Sequence, residues 1–188
     1  MFNKSLAFAL ALLAAPAFAE GDGPGPNLVI DITGAANGQV VIDLAADVAP
    51  KHVAQILALA KSGAYDGVVF HRVIEGFMAQ TGDVEFGKIG GDLSSAGMGG
   101  SELPDIPAEF SDISFERGIV GMARSQDPDS ANSQFFIMFE PGTFLDGQYT
   151  VVGKVISGME VVDAIQLGDG QNGEVTNPDM MAKVTVQE

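Results

Sequence analysis

Eight short runs rich in Val, Ile, Phe and Thr, each stopped by Gly, Pro, Asp, Asn or Ser, mark this chain at near-regular spacing without long strand-helix alternation. Runs of that length and composition form β-strands. The first two, Leu28-Val29-Ile30-Asp31-Ile32-Thr33 and Val40-Val41-Ile42-Asp43-Leu44, flank Gly34-Ala35-Ala36-Asn37-Gly38 and read as a hairpin. The others cover residues 68–74, 77–82, 118–124, 134–139, 149–156 and 182–186. Two segments carry helical spacing instead. Pro50 sits where a first turn accepts it, and Val53, Ile56, Leu57 and Ala60 follow on one face until Ser62-Gly63. Residues 159–167 turn Val161, Val162 and Ile165 inward. The pattern predicts a mainly β fold, a closed eight-stranded antiparallel barrel capped by two α-helices, with a sandwich as the rival on pattern alone. A barrel this small is filled by its own side chains, which puts a ligand on the outer wall or at a rim.

Cys is absent, so burial alone must stabilise the fold. Met1-Phe2-Asn3-Lys4, an apolar run over residues 6–15 and Ala17-Phe18-Ala19 have the form of a cleavable export signal. The apolar run is shorter than the roughly 20 residues that span a bilayer. No Cys follows the cleavage motif to carry a lipid, so the expectation is an exported protein free of the membrane, periplasmic where an outer membrane exists. The expected organisation is a signal peptide over residues 1–19, a flexible Gly/Pro leader over 20–27 and one domain over 28–188. Residues 85–112 form a long Gly/Ser-rich surface loop expected at the edge of the site.

The formal net charge is −16, and removal of Lys4 with the signal makes the mature form more negative still. Such a chain repels phosphate backbones and anionic lipids, which argues against nucleic acid as a partner and favours a soluble monomer. Hydrolytic catalysis lacks its parts. There is no Cys and no G-x-S-x-G elbow, and the two histidines, His52 and His71, stand apart. His52 is expected on the exposed side of the first helix, and His71 as a structural or second-layer residue that alternates away from Arg72. Asp127-Pro128-Asp129-Ser130-Ala131-Asn132 mimics the start of a calcium loop but lacks its Gly and its bidentate Glu. Neither a metal nor another cofactor is expected.

The chemistry concentrates in Phe70-His71-Arg72-Val73-Ile74-Glu75-Gly76-Phe77-Met78-Ala79-Gln80-Thr81-Gly82-Asp83. At period two Phe70, Arg72 and Ile74 share a face, with Met78 and Gln80 on the strand after the Glu75-Gly76 turn. A cation, an amide and soft apolar groups then converge without a nucleophile. The stretches Gly118-Ile119-Val120-Gly121-Met122-Ala123-Arg124 and Asn132-Ser133-Gln134-Phe135-Phe136-Ile137 repeat the theme. Together these segments resemble the cyclophilin family of peptidyl-prolyl isomerases over nearly the whole chain from residue 28. The resemblance implies an eight-stranded barrel with two helices, X-Pro segments of folding exported proteins as partners, and Arg72 on the catalytic arginine. It places Phe77, Met78, Gln80, Ala123, Arg124, Gln134, Phe136, Phe144, Leu145 and Tyr149 on substrate-binding positions.

Isomerisation of an X-Pro bond needs no covalent intermediate, only relief of amide resonance over a barrier of roughly 18–20 kcal/mol. The twisted transition state returns a lone pair to the prolyl nitrogen. A guanidinium beside it then donates a hydrogen bond that the planar amide cannot accept. Arg72 is the candidate, because arginine stays charged and presents donors from a planar fork. Phe77, Met78, Phe136 and Leu145 would wall the ring, while Gln80, Gln134 and the backbone of Arg124 would grip the peptide. Phe144 and Tyr149 depart from many eukaryotic members, which have Trp and His at those places. Both departures, with the insertion after Asp83, make the chain similar to the bacterial periplasmic branch and imply weak cyclosporin binding. A non-catalytic proline-peptide chaperone using the same groove, and a barrel with an interior ligand cavity, are the competing readings.

Overall fold

The computed structural model describes residues 23–170 and 172–188, so the signal expected over residues 1–19 lies outside the described residues. Nine strands are present among the described residues, β1 (Asn27–Thr33), β2 (Gly38–Leu44), β3 (Val68–Val69), β4 (Arg72–Ile74), β5 (Met78–Thr81), β6 (Ile119–Met122), β7 (Phe135–Met138), β8 (Val151–Ser157) and β9 (Met180–Gln187). They form one antiparallel sheet in the order β3-β9-β1-β2-β8-β6-β7-β5-β4. The two edge strands are halves of the single run expected over residues 68–74. Pairing continues between them, because the Phe70 N–H donates to the Asp179 carbonyl at 2.9 Å and the Val73 N–H to the Gly173 carbonyl at 2.7 Å. The sheet therefore curls back on itself, and the expected eight-stranded arrangement is recovered with its third strand broken at Phe70-His71.

That break changes one expectation. Phe70 does not share a face with Arg72: it is fully buried among the interior side chains, as are Val68 and Val73. Two residues without sheet conformation shift the alternation by one, so Phe70 and Val73 point in while Arg72 and Ile74 point out. The interior is filled by residues such as Leu28, Ile30, Val40, Ile42, Phe135 and Ile137 and leaves ligands to the wall.

Helix α1 (Pro50–Lys61) lays Val53, Ile56, Leu59 and Ala60 on this core. His52 was expected outside, yet it is fully buried, with Nδ1 2.6 Å from Glu109 Oε2. The long loop supplies the reason. It returns across the start of α1, where the Glu109 carboxylate accepts from the Lys51 and His52 N–H groups, two of the donors a helix start leaves unpaired. Helix α2 (Met159–Asp163) is shorter than the expected 159–167, because the Gln166 N–H donates to the buried Asp179 carboxylate instead of continuing the helix. The leader expected over 20–27 is held at its described end. The Gly23 N–H donates to Asp43 Oδ2, the Pro26 carbonyl accepts from the Leu44 N–H, and Asn27 already belongs to β1. No helix among the described residues is long and apolar enough to cross a membrane.

Candidate active site

The outward faces of β4, β5, β7 and β6 carry the site. Register aligns Arg72, Gln80, Phe136 and Gly121 in one row across the four strands, with Ile74, Met78 and Met138 in the next. Alternation places these side chains opposite Val73, Ala79 and Ile137, which fill the interior. Met78, Phe136, Met138, Leu145 and Phe115 form a second apolar cluster on the outer wall, with Phe77, Ala123 and Tyr149 packed against it.

Gly121 makes room for that cluster. A Cβ there would stand 2.5 Å from Phe136 Cζ and 2.6 Å from Phe115 Cε1. Without one, the Phe136 ring lies back over the strand and stacks on Phe115 at 5.7 Å between centroids. Tyr149 meets the Phe136 edge at 5.8 Å, and Phe144, 64% exposed, lies over Phe77 at 5.5 Å. A concavity of about 300 Å³ results, lined by Arg72, Phe77, Met78, Gln80, Ala123, Arg124, Phe136, Phe144, Leu145 and Tyr149.

Arg72 enters this concavity from its rim. Nε donates to the Asn172 carbonyl at 2.9 Å, which fixes the plane of the fork, and Nη1 lies 3.3 Å from Gln80 Oε1 and 3.7 Å from Met78 Sδ. Among the described residues none of the ion pairs involves Arg72. Its charge is therefore not locked to an acid. Asn172 is itself held by Glu174, whose carboxyl is kept below its ordinary range first by the Asn172 side chain and last by the Arg72 charge.

The amides form a relay. Gln80 Nε2 donates to Gln134 Oε1 at 3.0 Å, and Gln134 Nε2 donates to the Gly97 and Gly99 carbonyls at 3.0 and 2.8 Å. The long loop therefore reaches the site, as expected. Its near end is tied by the buried Asp83 carboxylate, which accepts from the N–H groups of Glu85, Phe86, Gly97 and Gly99. Gly97 needs to be glycine, with φ +96° and space for a Cβ only 2.9 Å from His71 Cδ2. Burial, helped by the neighbouring Arg72 charge, pushes the His71 pKa down against the opposing pull of Asp83. A neutral imidazole roofed by a loop fits the second-layer role expected for it.

Gln134 lines a second cavity of about 320 Å³ next to the first, where Gln80, Ala123 and Arg124 are shared walls and Met98, Ser130 and Asn132 close the far side. Arg124 forms the partition. Its guanidinium lies 4.4 Å from the Tyr149 ring centroid, Nη2 donates to the Gln148 carbonyl and Nη1 to the Ser125 carbonyl, each at 2.9 Å. Its backbone N–H and C=O pair with no group among the described residues. The structure thus brings ten of the eleven expected residues around one concavity, with Gln134 lining the adjoining one. Sequence reasoning missed Asn172, Phe115, Gly121, Asp83 and Met98. Only Asn172 had a local signal, the turn dipeptide Asn172-Gly173. Among the described residues, no group of three or more His, Cys, Asp and Glu could hold a metal ion.

The model of the family described as cyclophilin type peptidyl-prolyl cis-trans isomerase/CLD matches residues 29–186. A probable peptidyl-prolyl cis-trans isomerase of Brucella suis is 62% identical over 154 residues, which cover 80% of this chain and 79% of the relative. The crystal structure of a cyclophilin type peptidyl-prolyl cis-trans isomerase of Cryptosporidium parvum, in the presence of the dipeptide Ala-Pro, has a TM-score of 0.74 at 26% identity, over 86% of this chain and 99% of that one. A cyclophilin of Hirschia baltica has a TM-score of 0.70 at 26% identity, over 85% and 73%. With a groove that offers a cation, amides and an apolar wall but no nucleophile, the chain belongs to the cyclophilin-type peptidyl-prolyl cis-trans isomerases, enzymes that act on proline-containing peptides.

Proposed function

We propose that the chain isomerises X-Pro bonds in exported proteins as they fold, with Arg72 as the catalytic residue. The observation that carries this reading is a guanidinium anchored through Nε, unpaired with any acid among the described residues, at the edge of an apolar concavity. Phe77, Met78, Phe136 and Leu145 hold the pyrrolidine ring against an apolar, partly aromatic wall. Gln80, Gln134 and the Arg124 backbone grip the flanking peptide. The planar amide gives Arg72 nothing to donate to at nitrogen, whereas the twisted amide does, so the contact strengthens only as the bond rotates. One preorganised donor of this kind is worth on the order of a hundredfold to a thousandfold in rate. His71 takes no part in proton transfer, and the reaction needs none.

The apolar segment and A-x-A motif of residues 1–19 support export to a periplasm, and the net charge of −16 supports a monomer. X-Pro bonds of exported chains isomerise in tens to hundreds of seconds unaided, slowly enough to limit folding. A protease-coupled assay on an Ala-Pro peptide, with wild type and Arg72→Ala, tests the reading. Turnover by wild type, lost in the variant while the peptide still binds, is the expected result. Equal inactivity of both proteins would instead make the groove a non-catalytic binder.

A further inference from the structure

The chain contains no Cys, so its softest nucleophiles are the thioethers of methionine. Four of the seven among the described residues are shielded, while Met159 and Met180 are half-buried. Met78 is 2% exposed, Met122 is 1%, and Met138 and Met181 are fully buried. Met98 is 82% exposed, between Gly97 and Gly99 on the loop that Asp83 and Gln134 tie to the groove. It also lines the cavity walled by Gln80, Ala123, Arg124 and Gln134. The molecule therefore holds two sulfurs at its groove in opposite states. Met78 Sδ is buried beside Arg72 at the floor of the concavity, and the Met98 side chain stands exposed at the far rim.

We propose that Met98 is a peroxide-sensitive modification site whose oxidation tunes the groove, an inference that rests on the isomerase reading. The thioether lone pair attacks one oxygen of the peroxide. The O–O bond breaks, an S–O bond forms, and with hydrogen peroxide the other oxygen leaves as water. Sulfur loses two electrons and the peroxide gains them, so no further reactant is needed. The product is a sulfoxide, a polar group at a rim where the thioether presented an adaptable apolar surface to residues flanking the proline. Met78, 2% exposed at the floor of the concavity, should react far more slowly under the same dose. Chemistry at Arg72 is therefore unchanged while the hold on apolar flanks weakens. An added dithiol can reverse the change, being oxidised to its disulfide while the sulfoxide oxygen leaves as water.

The test treats the protein with a low dose of hydrogen peroxide, maps its methionine peptides by mass spectrometry and measures kinetics on Leu-Ala-Pro-Phe and Gly-Ala-Pro-Phe p-nitroanilides. The expected result is that Met98 oxidises before the other methionines. KM for the Leu peptide should then rise roughly threefold with kcat unchanged and little effect on the Gly peptide, in line with loss of a small apolar contact. Met98→Leu, which keeps an apolar side chain without sulfur, should show no rise relative to its own untreated value. Earlier oxidation of another methionine, an equal KM before and after Met98 oxidation, or the same rise in Met98→Leu would each overturn the proposal. Absence of turnover in untreated wild type would be a different failure, that of the isomerase reading itself.

Discussion

Arg72 Nη1 faces Gln80 Oε1 at 3.3 Å, and the other end of the same amide donates to Gln134. The amide is thereby oriented by partners on both sides, neutral toward the cation but polarised against it. Gln80→Glu keeps the shape, places a carboxylate at Arg72 and removes the donor to Gln134. The cation then gains a resting partner that competes with the prolyl nitrogen. The expected outcome is a drop in kcat/KM of about tenfold, the scale of a hydrogen bond to a charged group, read in the coupled assay.

Gly121 is expected to resist enlargement. In Gly121→Ala the new methyl meets Phe136 and Phe115 at about the 2.5 and 2.6 Å separations that their present positions leave. Either ring must shift, at a cost of about 1–3 kcal/mol. Urea unfolding should show that loss, and KM should rise because Phe136 forms the wall of the groove.

Phe144 carries no donor where its ring stands exposed above Phe77. Phe144→Trp adds an indole N–H at the rim that the family resemblance connects with cyclosporin. Inhibition by the drug should be weak for wild type and about tenfold tighter for the variant. An unchanged inhibition constant would separate drug binding from this position.

Glu109 should make stability depend on pH. Burial alone would raise its carboxyl pKa, but hydrogen bonds from the His52 ring and the His52 and Lys51 N–H groups outweigh it, and the pKa is lowered. A folded value below the unfolded one means the contribution is present above the ordinary carboxylate range, about pH 4, and is lost as pH falls through the folded value. Glu109→Gln should therefore be less stable than wild type by about 1–2 kcal/mol at pH 7. The gap should narrow in denaturant titrations as pH falls below the ordinary carboxylate range and through the lowered folded value.

Strand alternation and helical spacing were readable because they are local. The hairpin of β1 and β2, the apolar face of α1 and the row Met78, Gln80 all follow from side chains two or four residues apart. The break at Phe70-His71 was not readable, since Val68 to Ile74 keeps a strand composition throughout and only closure of the sheet decides where it bends. His52 was misplaced for a related reason, as its partner Glu109 lies 57 residues away. The convergence of Arg72 with Phe77, Met78, Phe136 and Leu145 on one concavity was legible through their motif. Asn172, which holds the arginine from 100 residues downstream, was visible only as a turn.

The Arg72 guanidinium should stabilise the twisted amide and not the bound planar one. NMR exchange on an Ala-Pro peptide measures interconversion on the enzyme and affinity in the same sample, for wild type, Arg72→Lys and Arg72→Ala. On-enzyme exchange should slow by about a hundredfold or more in Arg72→Ala, with a smaller loss in Arg72→Lys, while the peptide Kd changes less than about threefold. Exchange at the wild-type rate in Arg72→Ala at saturating enzyme would contradict it.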